Sequence, residues 1–97
     1  MPPSRALLSE DELQRRLPQL EGWSLEGGAL VRRWTWRDFS EAFAFLTRVA
    51  LLAERHDHHP DIHNVWNRVE LRLTTHDAGG LTALDLALAG AINEVAR

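Results

Sequence analysis

Five histidines occur in 97 residues, and four of them fall in one stretch, "AERHDHHPDIHNVWN" at residues 53–67. Imidazole is the side chain whose ordinary titration lies nearest neutrality. Such a cluster therefore suits proton transfer, or metal ligation. A zinc site needs three or four ligands. His56, His58 and His59 supply part of one, but neighbouring histidines on a bent chain rarely face the same ion. A polar loop that simply ends a helix is the third reading, and the residues alone leave all three open. His56 reads as an exposed helix-end residue, and His63 as a strand residue that packs. The fifth histidine, His76, closes a strand-like run ahead of "DAGG". Taken singly it reads as structural, and Asp85 reads as a helix cap. Trp23, Trp34, Trp36 and Trp66 default to core or interface aromatics.

Composition narrows the classes. The chain is 44% hydrophobic and 26% charged, as in an ordinary globular domain, and its length fits one domain spanning residues 1–97. There is no cysteine, so thiolate chemistry and disulfides are excluded. No apolar run approaches the ~20 residues of a membrane span, and "MPPSRALLSEDE" lacks the apolar core of a signal peptide. The expectation is a cytoplasmic protein with no membrane association. Net charge is −3 with signs interspersed, so direct nucleic-acid binding is not expected. Residues 1–5 are expected to be loose.

The elements that must position the histidines follow from spacing. Ser9 with Glu12 is a capping box that predicts a helix over residues 10–17, stopped by Pro18. Trp23 to Leu25 and Ala29 to Trp36 read as strands hairpinned over Glu26, Gly27 and Gly28. Asp38 caps the strongest helix, "FSEAFAFLTRVALLAERH". Its predicted core stripe is Phe39, Ala42, Phe43, Leu46, Val49, Ala50 and Ala53. A second apolar line, Phe45, Leu51 and Leu52, marks either deep burial or a subunit interface. Two β-like runs flank Asn67-Arg68. In the second, Val69, Leu71 and Leu73 face one way and Glu70, Arg72 and Thr74 the other. Thr82 with Asp85 resembles a capping box, and Leu84, Leu88, Ala91, Ile92 and Val95 form a closing amphipathic helix. The order α-β-β-α-β-β-α fits an α+β fold: a four-stranded antiparallel sheet with three helices on one face.

The histidines therefore sit where the long helix runs out. Pro60 forces His59 into an extended conformation, which makes the exit rigid. The negative end of the helix dipole favours a cationic imidazole there by about 0.3–1 kcal/mol, and Glu54 and Asp57 act in the same sense. Strict alternation places His76 on the polar side of its strand. The histidine loop must then wrap the sheet edge, or a bulge must turn His76.

The pattern E54-x3-H58-H59-P60-x5-W66-x9-H76-x8-D85 resembles the signature of the pterin-4a-carbinolamine dehydratases. "RDFSEAFAFLTRVALLAE", "HNVWNRVELRLTTH" and Gly22-Trp23 are also similar to that family, so the likeness covers roughly residues 9–96. Departures are few: Trp66 stands where Tyr is also common, and His63 where relatives often carry a bulky aromatic. The resemblance implies the α+β fold above and a homodimer or homotetramer. It implies a pterin substrate, a 4a-hydroxytetrahydropterin left by an aromatic amino acid hydroxylase, dehydrated to quinonoid dihydropterin without metal or organic cofactor. By the same resemblance His58 and His76 are general acids and His59 positions the pterin. Glu54 orients the cluster or binds the pterin. Thr74, Thr75 and Trp23 offer substrate contacts, and Asp85, Pro60 and Asp57 support. Mammalian relatives also serve as dimerisation cofactors for a homeodomain transcription factor. That makes a binding module, using Phe45, Leu51 and Leu52, the reading to test against the enzyme, with a metal-binding protein third.

Overall fold

The computed structural model describes residues 5–97, so the expected loose start lies, for residues 1–4, outside the described residues. The longest helix, α2 (Phe39–His56), begins where Asp38 stays extended and its carboxylate accepts the Glu41 N–H at 2.8 Å. This satisfies one of the orphan donors of the first turn, and the same bond holds the Asp38 carboxyl below its ordinary range.

The buried face of α2 differs from the predicted stripe. Ala42, Phe45, Leu46, Val49 and Ala53 are buried, whereas Phe43 is 55% exposed and Phe39, Ala50 and Leu51 also face outward. Phe45 wins over Phe43 because aromatic partners wait on its side. Its ring centroid lies 4.8 Å from both Trp34 and Trp36. Spacing within one helix carries no information about which phenylalanine meets them.

Two hairpins build the sheet. Strand β1 (Ser24–Glu26) turns into β2 (Ala29–Thr35) over Gly27 and Gly28, at φ +57° and +78°. A two-residue hairpin turn takes this left-handed pair, which glycine adopts without strain. Strand β3 (Asp61–Val65) turns into β4 (Arg68–Leu73) over Trp66 and Asn67. There the Asn64 side-chain amide donates to the carbonyls of Trp66 and Arg68, at 3.1 and 2.8 Å. The spatial order is β1-β2-β4-β3, antiparallel throughout. Helix α2 thus carries the chain from β2 over to the far edge, and β4 returns to fill the centre.

Alternation divides the sheet. Leu30 on β2 pairs with Leu73, and Trp34 with Val69, on the face that packs against the helices. Arg33, Glu70 and His63 lie in register on the opposite face. His63 is therefore exposed beside Glu70 rather than packed, because its position in β3 falls on the uncovered side of the sheet.

Helix α1 (Glu10–Arg16) is capped by Ser9, and the chain leaves it through a 3₁₀ turn containing Pro18. Helix α3 (Ala83–Val95) opens with the predicted capping box of Thr82 and Asp85. Ahead of α1, the Leu8 N–H donates to the Leu81 carbonyl at 2.9 Å, and Leu7 bridges Thr82. Among the described residues no helix is long and apolar enough to cross a membrane.

Candidate active site

Helix α2 ends on a doubly bonded cap. Asp57 adopts the left-handed conformation at φ 51°. The His58 N–H returns to the Ala53 carbonyl at 3.1 Å and the Asp57 N–H to Glu54 at 3.3 Å. This six-to-one and five-to-two pairing is a Schellman motif, with Asp in the place usually held by Gly. It folds His58 back under the helix end, where it is 8% exposed, while His59 points outward and Pro60 stiffens the exit into β3.

Asp85 receives His58 from the other side. Its carboxylate is fully buried, and Oδ1 lies 2.5 Å from His58 Nε2. Oδ2 accepts the Thr75 hydroxyl at 2.8 Å and the Thr82 N–H at 2.9 Å. A buried charge is tolerated only when its lone pairs are met, and here both oxygens are. The hydroxyl chain is directed as well. Thr75 gives its proton to Asp85, so at the 2.8 Å contact between the two threonines Thr82 is the donor. For the imidazole, an acceptor on Nε2 means that Nε2 carries the proton, which leaves Nδ1 as the acceptor nitrogen of the neutral ring.

His76 follows shortly after the end of β4. Strand β4 stops at Leu73, Thr75 bridges Gly80, and residues His76–Ala78 form a 3₁₀ turn. Burial nevertheless keeps alternating up to it, with Leu71, Leu73 and Thr75 buried and Arg72, Thr74 and His76 on the more exposed side, as the period-two rule expects. His58, His59, Thr74, Thr75 and His76 all line one solvent-open cavity of about 330 Å³, together with Arg5, Asp57 and Asp77. That volume lies at the lower end of the range for small-molecule sites.

Some sequence candidates lie apart from it. Trp23 is buried in the core, edge-on to Trp34 at 5.9 Å, and its indole N–H donates to Asn93 Oδ1 at 2.8 Å. It is not on the cavity wall, because the Gly22 turn directs it under the sheet's helix face. Glu54 is exposed and 3.7 Å from His59 Nε2, outside the wall. Trp66 is 60% exposed on the β3–β4 turn. Pro60 and Asp85 act from behind, through the backbone and through His58. Sequence reasoning did not select Arg5 or Asp77. Arg5 fell in the segment read as loose, and no local pattern marks it, because its place follows from the pairing of Leu7 and Leu8 with Thr82 and Leu81. Among the described residues no group of three or more His, Asp or Glu converges to hold a metal.

The model of the family described as Pterin 4 alpha carbinolamine dehydratase matches residues 6–95. A protein of Afipia carboxidovorans is 53% identical over 92 residues, covering 93% of this chain and 92% of the relative. One from Chloroflexus aurantiacus is 54% identical over 88 residues, covering 91% and 95%. Both bear the name "Putative pterin-4-alpha-carbinolamine dehydratase". The crystal structure of a transcriptional coactivator/pterin dehydratase from Brucella melitensis superposes with TM-score 0.89 at 40% identity, covering 93% of this chain and 98% of that one. A pterin dehydratase-like RuBisCO assembly factor of the alpha-carboxysome shares the fold, at TM-score 0.67 and 24% identity over 78% of this chain and 90% of that one. On the family match and these identities, the chain belongs to the pterin 4 alpha carbinolamine dehydratase family.

Proposed function

We propose that the protein dehydrates a 4a-hydroxytetrahydropterin to the quinonoid dihydropterin and water. The C4a hydroxyl is a poor leaving group until it is protonated. The N5 lone pair then expels it as water, and N5 loses its proton. One group must donate and another accept, and each well-placed acid or base contributes about 10²–10⁴-fold. The observation that carries this reading is the shared cavity of His58, His59 and His76, with His58 tied to the buried Asp85. In this reading His58 exchanges its proton through Nδ1, and His76, on the opposite loop, serves the other position of the hydroxyl. His59 holds the pterin, with Glu54 behind it and Thr74 adding a polar contact.

The finer reading places the reaction in the cytoplasm, downstream of an aromatic amino acid hydroxylase whose spent pterin cofactor it regenerates. Self-association belongs to the same reading; of the apolar line Phe45, Leu51 and Leu52, Phe45 is buried and Leu52 packs on the core, so Leu51 with the outward Phe39 and Phe43 supplies that surface. Sedimentation at micromolar concentration tests it, with a monomer as the contrary outcome.

The decisive measurement is spectrophotometric decay of a freshly generated carbinolamine. The wild type is expected to exceed the spontaneous rate, and His58→Ala or His76→Ala to lose about 10²-fold or more. A wild-type rate equal to the spontaneous one sinks the proposal.

A further inference from the structure

The chain is tied down two residues after Arg5. Leu7 bridges Thr82, and the Leu8 N–H reaches the Leu81 carbonyl at 2.9 Å. This anchorage sets Arg5 on the wall of the histidine cavity beside Asp57. Arg5 Nη2 lies 3.9 Å from Asp57 Oδ2, with the two side chains 54% and 92% exposed. An ion pair so long and so open to water is weak, and the guanidinium is free to be redirected. Among the described wall residues, Arg5 is the side chain that only donates. Asp57 and Asp77 accept, and the threonines and histidines do either; of the two carboxylates Asp57 is the one beside Arg5.

Donor beside acceptor is the complement of one edge of a pterin. That edge presents the 4-oxo group, an acceptor, next to N3–H, a donor. A 4-aminopteridine inverts both positions. We propose that Arg5, with Asp57 alongside, reads the 4-oxo edge of the bound heterocycle, so that Arg5 is a specificity-determining residue. The inference deepens the pterin reading above and rests on it. Arg5 supplies a charge-assisted bond to the oxo group, and Asp57 takes the N3 proton. With the 4-amino analogue, Arg5 faces a second donor and Asp57 a lone pair.

The test titrates the protein with pterin and with 2,4-diaminopteridine, following ligand fluorescence. The wild type is expected to prefer pterin by about tenfold or more, the scale of one hydrogen bond to a charged group. Arg5→Ala should erase most of that preference, and Arg5→Lys should restore part of it. In the dehydration assay the KM of Arg5→Ala should rise about tenfold, while its turnover number changes far less. Its unfolding midpoint should match the wild type, because the side chain is largely exposed. An unchanged preference in Arg5→Ala overturns this inference and leaves the dehydratase reading standing. A wild type that neither binds pterin nor accelerates dehydration overturns both.

Discussion

Asp85 holds the site together at the level of single residues. It satisfies its own helix cap, the Thr75 hydroxyl and His58 at once, with nothing left exposed. Two substitutions separate its roles. Asp85→Asn keeps the volume but replaces an ion by an amide whose NH₂ competes as donor. Turnover should fall about 10²–10⁴-fold with little change in KM, because the Nε2 proton of His58 is no longer held in place. Asp85→Ala strands His58, Thr75 and the Thr82 N–H without their acceptor. It should cost about 3–5 kcal/mol of stability, read by denaturant unfolding. Equal activity in Asp85→Asn and the wild type would remove Asp85 from the mechanism and leave it a helix cap.

At the level of elements, the phase of α2 matters most. It fixes where the Schellman cap ends the helix, and so where His58 enters. The phase is set by Phe45, held between Trp34 and Trp36. Phe45→Ala should cost about 3–5 kcal/mol, since it deletes a fully buried ring whose neighbours belong to a different element and cannot collapse fully into the gap. Chemical denaturation checks this. A loss under 1 kcal/mol would mean that another contact sets the helix's rotation.

For the whole molecule, the first hairpin contributes to the acid response, beside the depressed carboxyl of the Asp38 cap. Arg33 Nη1 and Nη2 both reach the Glu26 carboxylate, each at 2.9 Å. That bond foremost, with a second from Ser24, lowers the Glu26 pKa from 4.5 to about 2. A carboxyl depressed in the folded state contributes stability that is complete above its unfolded value and lost as pH falls through the folded one. The window therefore runs from about pH 4.5 down to about 2. Denaturation midpoints measured across it should fall, and Glu26→Gln should flatten that part of the decline. An identical acid limb in the variant would show that the pair is too solvated to matter.

Much of this architecture was legible in the residues themselves, because its signals are local. Ser9, Asp38 and Thr82 announce helix starts through bonds spanning three residues. Gly27-Gly28 announces a hairpin through backbone sterics, and Val69, Leu71 and Leu73 announce a half-buried strand. The bend at His58-His59-Pro60 was equally readable, since proline restricts its predecessor whatever surrounds it. The undecided matters were those in which two distant segments choose each other. Phe43 and Phe45 compete on one helix until Trp34 on β2 and Trp36 just past its end present their indoles. His76 meets His58 and His59 on one cavity wall only when the end of β4 packs beside the end of α2. Asp85 meets His58 across 27 positions of chain, and Arg5 reaches the cavity only because Leu7 finds Thr82. Periodicity and caps report a residue's relation to its own neighbours. Contacts between segments depend on packing, which no local pattern encodes.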